Sequence, residues 1–578
     1  MLLRGLSLIS LSLALSLPAL AEAQPVTLSG AYLASRTASH LMDLGATIDF
    51  TSAALKQDPN NGALIERLFE AEVMQGDLAK AEPLAAQVVK FNSQQRTARL
   101  VLGLKEFAAR RYPEARNHFD EAAYTSVGTL TSALLNAWSY AGEGSLNAAL
   151  HELDKLDGQD AFANYKAFHA ALIADYLGSS VRAEAAYKKA YGLAPTSLRI
   201  VQAYGNFLER NGHKDQAEKI YRNYLADGQR DTLIQHALDQ LSSGAKPEAF
   251  VKTPAAGAGE VLFSIASALN VDQSATAALT YARLALAFTA DKPVVLTTLG
   301  SVLSGFKLYE DANAAFDQVP QQSVLRTYAD TEIGVNLERM DKNKDAMAKL
   351  EAVVAKAPKD TDALISLAGV YRANDEFVKA ADTYSKALAL LPDSDNATWH
   401  VLYDRGIVYD HLKQFDKSEP DFRKALALSK DDASVLNYLG YSMIDRGVNL
   451  DEALGMVKKA VSLKPNDGYI TDSLGWAYYT LRDYDQAVTY CERAVDLVPS
   501  DPIIAEHLGD VYWKVGRKLE AQFQWQHAKD NHPESEDLVR IEKKLKDGLP
   551  DAQDAKPADN SAPAAPADGA AADQPKKG

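Results

Sequence analysis

The pattern that organises this chain is clearest in SLGWAYYTLRDYDQAVTYCERAVDLVP, from Ser473 to Pro499. A small residue, Gly475, is followed by an aromatic ring three positions later and by an alanine twelve positions later. A second buried position follows at Cys491, then another alanine, and a proline closes the stretch. Separations of three, four and seven residues place side chains on one face of a helix. The polar RDYD segment separates two such faces, so the stretch predicts a helix–turn–helix hairpin that ends at the proline.

The same pattern returns along most of the chain. It is plain in LISLAGVYRANDEFVKAADTYSKALALLP, from Leu364 to Pro392, and in HLGDVYWKVGRKLEAQFQWQHAKDNHP, from His507 to Pro533. The spacing is 34 residues, apart from two insertions in the second half and a longer interruption between the two halves. The position of the small residue is occupied by Ser35, Phe69, Gly103, Ala137, Ala171 and Gly205 in the first half, and by Ala266, Gly300, Gly334, Ala368, Gly406, Gly440, Gly475 and Gly509 in the second.

A period of 34 residues built as helix–turn–helix resembles the tetratricopeptide (TPR) repeat. The resemblance is specific because the whole pattern recurs. It implies an all-α superhelical solenoid of about 13–14 repeats, in which each hairpin packs on its neighbours. Such an array can exceed the size at which a single core stops growing, which suits a chain of 578 residues.

Composition narrows the classes of partner. The formal net charge is −16, and the charges are dispersed along the sequence. A negative chain of this kind is poorly suited to bind nucleic acid or an anionic membrane surface. We therefore expect protein partners, no nucleic acid, and no membrane span in the mature chain.

The N-terminus has the pattern of a secretory signal. Arg4 precedes an apolar run from Gly5 to Leu17, and Ala21-Glu22-Ala23 resembles a cleavage site, with Ala19-Leu20-Ala21 as an alternative. The run is short for a membrane span, although an uncleaved anchor is the alternative. No cysteine stands at the junction, so we expect no lipid anchor there. These features predict a signal peptide over residues 1–23 and a location in the periplasm.

Composition and register predict the remaining domains. Residues 24–228 form an N-terminal array of about six degenerate repeats, and residues 260–533 form a C-terminal array of about eight. Residues 229–259 contain one extra helix and a Pro/Gly/Ala-rich linker. This linker is either a hinge between two arrays or an insertion in one continuous superhelix. Residues 534–548 predict a capping helix, and the Pro/Ala/Asp tail over 549–578 is predicted to be disordered.

The sequence contains no motif for catalysis, a cofactor or a metal. There is no phosphate-binding glycine loop, HExxH or GxSxG, and the 11 histidines are scattered. The single cysteine, Cys491, stands at a packing position, so a buried thiol is expected. His507 with Glu506 and Asp510 is the nearest approach to a catalytic cluster, and a solvated recognition surface is the expected reading. We predict a protein that is not an enzyme and has no cofactor.

In TPR families the first helix of each repeat lines the concave surface, and the resemblance implies that partner contacts come from it. The positions three before, one after and four after the small residue should point inward. Aromatic rings with interleaved carboxylates there suit a basic or amphipathic peptide, although the tryptophans could instead fill the interior of the superhelix. In the last four repeats these positions are Tyr403, Ile407, Asp410, Asn437, Tyr441, Ile444, Asp472, Trp476, Tyr479, Glu506, Asp510 and Trp513.

The run from about Ala363 to Gly548 also resembles a narrower group, the many-repeat TPR proteins of the Gram-negative envelope. One type in that group is an outer-membrane lipoprotein that serves as adaptor of a carboxyl-terminal processing protease and brings it to cell-wall hydrolases. This resemblance implies a scaffold for a periplasmic protease and cell-wall hydrolases. The missing lipid-anchor cysteine is a departure, because the chain would not be tethered. The alternative is a chaperone-like or assembly scaffold for outer-membrane or secretion machinery.

Overall fold

The computed structural model describes residues 27–226, 230–271, 274–289, 291–393 and 396–549. The predicted signal peptide lies outside these residues, and so does the predicted tail apart from Leu549. The described part of the chain is α-helical and contains no β-strand, which confirms the predicted all-α class.

The helices are numbered in chain order. The first fifteen are α1 (Leu28–His40), α2 (Leu44–Gln57), α3 (Gly62–Gln75), α4 (Leu78–Phe91), α5 (Arg96–Ala108), α6 (Tyr112–Glu121), α7 (Ser126–Gly142), α8 (Leu146–Leu153), α9 (Ala163–Tyr176), α10 (Ser180–Leu193), α11 (Leu198–Arg210), α12 (Lys214–Tyr224), α13 (Thr232–Ser243), α14 (Pro254–Val271) and α15 (Ala275–Phe288). The next fifteen are α16 (Lys292–Gly305), α17 (Tyr309–Asp317), α18 (Arg326–Arg339), α19 (Asn343–Lys356), α20 (Thr361–Ala373), α21 (Phe377–Leu388), α22 (Asn396–His411), α23 (Phe415–Ser429), α24 (Ala433–Asp445), α25 (Leu450–Leu463), α26 (Gly468–Thr480), α27 (Tyr484–Leu497), α28 (Pro502–Lys514), α29 (Lys518–Asp530) and α30 (Ser535–Asp547).

The helices fall into the predicted hairpins. Every predicted small position lies in the first helix of a pair, from Ser35 in α1 to Gly509 in α28. Among the described residues, α1–α12 make six pairs and α14–α29 make eight, which confirms the expected repeat number. The two unpaired helices are α13, the predicted extra helix, and α30, the predicted capping helix.

The hairpins with glycine at the small position close where that glycine meets a larger side chain of the second helix. A Cβ built on Gly205 would lie 2.3 Å from the Tyr221 ring, and one on Gly475 would lie 2.4 Å from Cys491 Sγ. Glycine therefore allows the two helices to approach until the larger side chain fills the gap. Cys491 is fully buried, and burial raises the pKa of its thiol well above the ordinary value. The predicted role of Cys491 as a packing residue is confirmed.

Helix starts and turns follow from particular residues. Aspartates cap several first helices: Asp360 Oδ1 accepts from Ala363 N at 2.9 Å, and Asp467 Oδ1 accepts from Ile470 N at 3.1 Å. The turn inside the hairpin needs one residue with left-handed backbone, seven positions after the small residue. This residue is glycine in some repeats, such as Gly516 with φ of +83°, and a side-chain-bearing residue in others, such as Arg482 with φ of +63°.

This turn gives a test in which only the backbone matters, because a Cβ on Gly516 would meet nothing within 4 Å. We expect Gly516→Ala to lower the free energy of unfolding of the terminal hairpins by about 1–2 kcal/mol, the cost of left-handed backbone for an L-residue. The matched control is Gly455→Ala in the interior of α25, where the space is equally open and the backbone is helical. That change should instead stabilise by about 0.5–1 kcal/mol. Hydrogen exchange in α25, α28 and α29 measures both, and equal shifts in the two variants would refute the assignment.

The chain forms two compact units, and their limits differ from the predicted domain boundaries. The first unit contains the described residues up to Ala194 together with Ala249–Val295. The second contains Pro195–Glu248 and the described residues from Leu296 onward. The predicted linker over 229–259 is also too long, because α14 begins at Pro254. The reason is that its Ala- and Gly-rich residues pack as a helix within the first unit, where Ala258 is fully buried. The predicted hinge stays a prediction.

Candidate protein-binding groove

The predicted groove residues lie in the second unit, on the first helices of the last four hairpins. Among these helices, α24 packs on α26 and α26 packs on α28. The positions three before and one after each small residue therefore form two parallel rows across neighbouring helices. The structure separates the predicted residues into three groups: an open aromatic centre, buried packing residues, and an end covered by α30.

The open centre is built around Trp476. Its indole ring stacks on Tyr479 at 4.7 Å between centroids and on the His507 imidazole at 4.1 Å. Trp476 and Tyr479 are half-buried, and Trp476 is absent from the side chains that pack on the hydrophobic core of this unit. The indole is therefore held by its neighbours while part of its surface faces outward.

Polar groups on α24 border this centre. Asn437 and Tyr441 are half-buried, and within the described residues neither Asn437 Oδ1 nor the Tyr441 hydroxyl has a hydrogen-bond partner. Burial raises the pKa of Tyr441, and the carboxylates of Asp445 and Asp472 raise it further. The Tyr441 hydroxyl is therefore a neutral hydrogen-bond donor across the physiological range.

A buried, hydrogen-bonded pair of His507 and Asp472 lies behind the stacked rings. His507 Nδ1 and Asp472 Oδ2 are 2.7 Å apart, and both side chains are buried. Burial alone would lower the pKa of His507, but the carboxylates of Asp472, Glu506 and Asp510 outweigh it and the pKa is raised. Asp472 Oδ1 is enclosed and has no hydrogen-bond partner in the described part of the chain. The pair fixes the imidazole on which Trp476 stacks.

Several predicted groove residues are closed to a partner because they pack inside the repeats. Ile407 and Ile444 are 2% and 1% exposed. Asp410 is buried and accepts a hydrogen bond from Ser442 Oγ at 2.6 Å. Tyr403 is half-buried, and its ring lies 6.0 Å from that of Phe422. The expectation that Ile407, Ile444 and Asp410 face a partner is wrong, since close helix stacking places them between helices.

The end of the predicted groove is covered by α30. Arg540 forms a two-pronged ion pair with Glu506, with both N–O distances at 2.7 Å. Lys544 Nζ lies 2.6 Å from both Glu506 Oε1 and Asp510 Oδ2. Asp510 also accepts from Trp525 Nε1 at 2.9 Å.

The covering helix corrects the predicted solvated surface. Glu506 is 1% exposed and Asp510 4% exposed. Burial would raise the pKa of Glu506, but the hydrogen bonds from Arg540 and the charge of Lys544 hold it below the ordinary value. Trp513 is also tied down, because its Nε1 donates to the Leu549 carbonyl at 3.1 Å. These residues act in the structure as the attachment of α30, and the charges of the supposed catalytic cluster are paired.

A signal for this attachment exists in the sequence but was missed. Arg540 and Lys544 stand 34 residues after Glu506 and Asp510, so α30 continues the repeat period with basic residues in the two inward rows. Reading the period one step past Pro533 would have paired these charges.

The first unit has an inward surface of a different kind, which sequence reasoning also missed. Its α14 packs on α7 and α9, and its α15 packs on α3. Tyr281 of α15 shares a hydrogen bond with Thr131 at 3.1 Å, and Arg283 Nε donates to the Met74 carbonyl at 2.9 Å. The inward positions of the third to fifth repeats are at most 3% exposed where they are apolar: Leu100, Leu104, Phe107, Leu134, Trp138, Ala141, Phe168 and Leu172. The hairpin α14–α15 thus occupies this face.

The described residues lack two further features, a candidate metal site and a candidate membrane span. No group of three or more His, Cys, Asp or Glu side chains there could hold a metal ion. None of the helices in the same residues is both long and apolar enough to cross a membrane.

Comparison with known proteins agrees with this architecture. Residues 67–127, 331–395 and 473–533 match one family model of the tetratricopeptide repeat, and residues 400–432 match a second. These segments are tetratricopeptide repeats, a fold that suggests a scaffold for protein–protein interactions.

Its similarity to individual proteins is partial. Over 106 residues it is 34% identical to a TPR repeat-containing protein of Pseudomonas aeruginosa. The aligned segment covers 18% of this chain and 17% of that protein. Over 107 residues it is 31% identical to the BBSome complex member BBS4 of Bos taurus, covering 18% of this chain and 20% of BBS4. The matches thus span about a fifth of the length of these relatives.

Two solved structures align with most of this chain. The APC/C hetero-tetramer Cut9–Hcn1 aligns over 90% of this chain and 96% of that chain, with 15% identity and a TM-score of 0.40. Yeast Tom70 aligns over 78% of this chain and 94% of that chain, with 13% identity and a TM-score of 0.35.

Proposed function

We propose that this chain is a non-catalytic scaffold of the periplasm that holds a segment of a partner protein in the groove of its second unit. The observation that carries the proposal is the pair of half-buried rings of Trp476 and Tyr479 with the buried His507 imidazole on which Trp476 stacks, bordered by polar groups of Asn437 and Tyr441 that have no partner among the described residues. Aromatic anchors with a few polar groups are typical of the energetic centre of a protein interface.

The periplasmic part of the proposal rests on the apolar run of residues 5–17 and the Ala-x-Ala site that follows it. N-terminal sequencing of the exported protein tests it. A chain that begins close to Gln24 supports export with cleavage, and a chain that retains Met1 contradicts it.

The narrower proposal is an adaptor for a carboxyl-terminal processing protease, which the resemblance of residues 363–548 supports. An adaptor needs two binding surfaces, one for the enzyme and one for its substrate. Because α14–α15 occupies the inward face of the first unit, the second surface would lie elsewhere on the chain. This observation favours the competing proposal, an assembly scaffold that uses a single groove.

A pull-down from periplasmic extract separates these functions. The bait is the mature protein, compared with Trp476→Ala and with Phe523→Ala, a control that removes a ring 66% exposed on α29. A processing protease or cell-wall hydrolase that is lost only with Trp476→Ala supports the adaptor. Other envelope proteins lost in the same way support the assembly scaffold. Identical retained proteins for all three baits would contradict partner binding in this groove.

A further inference from the structure

The chain contains a second tryptophan at the position equivalent to Trp476, and a helix of the same chain covers it. Trp138 follows the small residue Ala137, as Trp476 follows Gly475, so both indoles hold the same place in a first helix. In the first unit α14 lies against α7, and a Cβ built on Gly257 of α14 would be 2.3 Å from the Trp138 ring. The indole therefore contacts the bare backbone of a helix at a glycine, an approach that no larger residue permits.

The helix over Trp138 has a composition that suits this contact. Its first turns read PAAGAGE from Pro254 to Glu260, and Ala256 and Ala258 are 7% and 0% exposed. Small side chains let the helix axis come close to a flat ring, so the contact area is contributed by backbone and methyl groups. Within this protein, an inward-facing tryptophan is thus complementary to a helix with a small-residue face.

Trp476 presents the same ring without such a helix among the described residues. Its packing comes from Tyr479 and His507, and it remains half-buried, whereas Trp138 is 0% exposed. Because the hairpins share one repeat geometry, equivalent positions in different hairpins can be compared directly.

The charges around Trp476 indicate what else the occupant would carry. The next helix position is filled by α30, and there Arg540 and Lys544, four residues apart, satisfy two carboxylates of the inward rows. On α24, two first helices before α28, Asp445 is exposed; it lies close enough to Tyr441 to raise the pKa of that tyrosine, and Lys413 and Arg446 are the cations near it. A bound helix with a cation beside Asp445 would be attracted by the carboxylate of that residue.

We propose that the groove of the second unit binds an α-helix that places glycine or alanine on the Trp476 ring and a lysine or arginine beside Asp445. This proposal rests on the proposed function and defines its partner class as a basic helix with a small-residue face. An extended peptide is the competing occupant, because the free groups of Asn437 and Tyr441 could also bind peptide backbone.

Peptide selection on the full chain distinguishes these occupants. One phage library displays alanine-based helices of about 18 residues, long enough for marginal helix stability, randomised along one face. A second library displays short unconstrained peptides. Both are selected on the wild-type chain and depleted on Trp476→Ala, and the binders are measured by fluorescence anisotropy.

The expected binders are helices with Gly or Ala at the central position and Lys or Arg about one turn away. Trp476→Ala should weaken them by about 30-fold, the loss of an aromatic anchor, and Phe523→Ala should leave them unchanged. Asp445→Lys should weaken their binding several-fold. Because Asp445 is exposed, this loss would not come from misfolding, so it tests the groove independently of the tryptophan variant.

The other outcomes overturn either the helix inference alone or the proposed function as well. Trp476-dependent binders that come only from the unconstrained library, or helices with large residues at the centre, would overturn the helix inference while preserving the groove. If neither library yields a Trp476-dependent binder, the helix inference and the proposed function both fail.

Discussion

Glu506→Ala is expected to lower the free energy of unfolding of the last hairpins and α30 by about 3–5 kcal/mol, the cost of removing one partner from a buried ion pair. Glu506 is 1% exposed and is the shared acceptor of Arg540 and Lys544. Without its carboxylate, the two cations would stay close together, and their remaining ion-pair partners in the described part of the chain would be Asp510 and Asp537. The attachment of α30 should therefore be lost first.

Hydrogen exchange in α28–α30 measures this loss, and limited proteolysis after α29 gives a second readout. The matched control is Glu452→Ala, which also removes a carboxylate bound by an arginine, Arg423, but at 43% exposure. An exposed pair contributes about 0.2–1 kcal/mol, so the control should change little. If the two substitutions had equal effects, the buried network would not be what holds α30.

Trp138→Ala is expected to destabilise the first unit by about 3–5 kcal/mol, as for other fully buried tryptophans. The indole is 0% exposed, contacts α14 at Gly257, and donates a hydrogen bond from Nε1 to His169 Nδ1 at 3.1 Å. His169 is buried, and burial lowers its pKa to about 3. The imidazole therefore stays neutral near neutral pH. Truncation would leave a cavity and an unpaired imidazole together.

The result to look for is faster hydrogen exchange in α7, α9, α14 and α15, with a lower melting temperature for this unit. Trp476→Ala provides the comparison, since that ring is half-buried and its loss should cost about 1 kcal/mol, near the centre of the range for point substitutions. A small effect of Trp138→Ala, with α14 still protected, would show that the hairpin is held by other contacts.

Much of the architecture could be predicted from local patterns. The period of 34 residues located all fourteen small positions in first helices, and the expected roles of Gly475 and Cys491 are confirmed by their close approach. The groove was predicted less well. The predicted inward positions included Trp476 and Tyr441, which are half-buried, and also Ile407 and Ile444, which lie between helices. Helical spacing gives a direction around one helix, and it does not state how deeply a neighbouring helix covers that direction.

The amino-acid order, read alone, establishes an all-α array of tetratricopeptide hairpins, because each hairpin depends on contacts between residues at short, repeated separations. It does not establish which inward surface is open. Arg283 and Met74, which help to seat α15 on α3, are 209 residues apart, and no local period links them. The closing of the first unit by α14–α15, and of the last repeat by α30, follows from contacts across the folded chain. Those long-range contacts leave the ring of Trp476 as the open aromatic centre of the second unit.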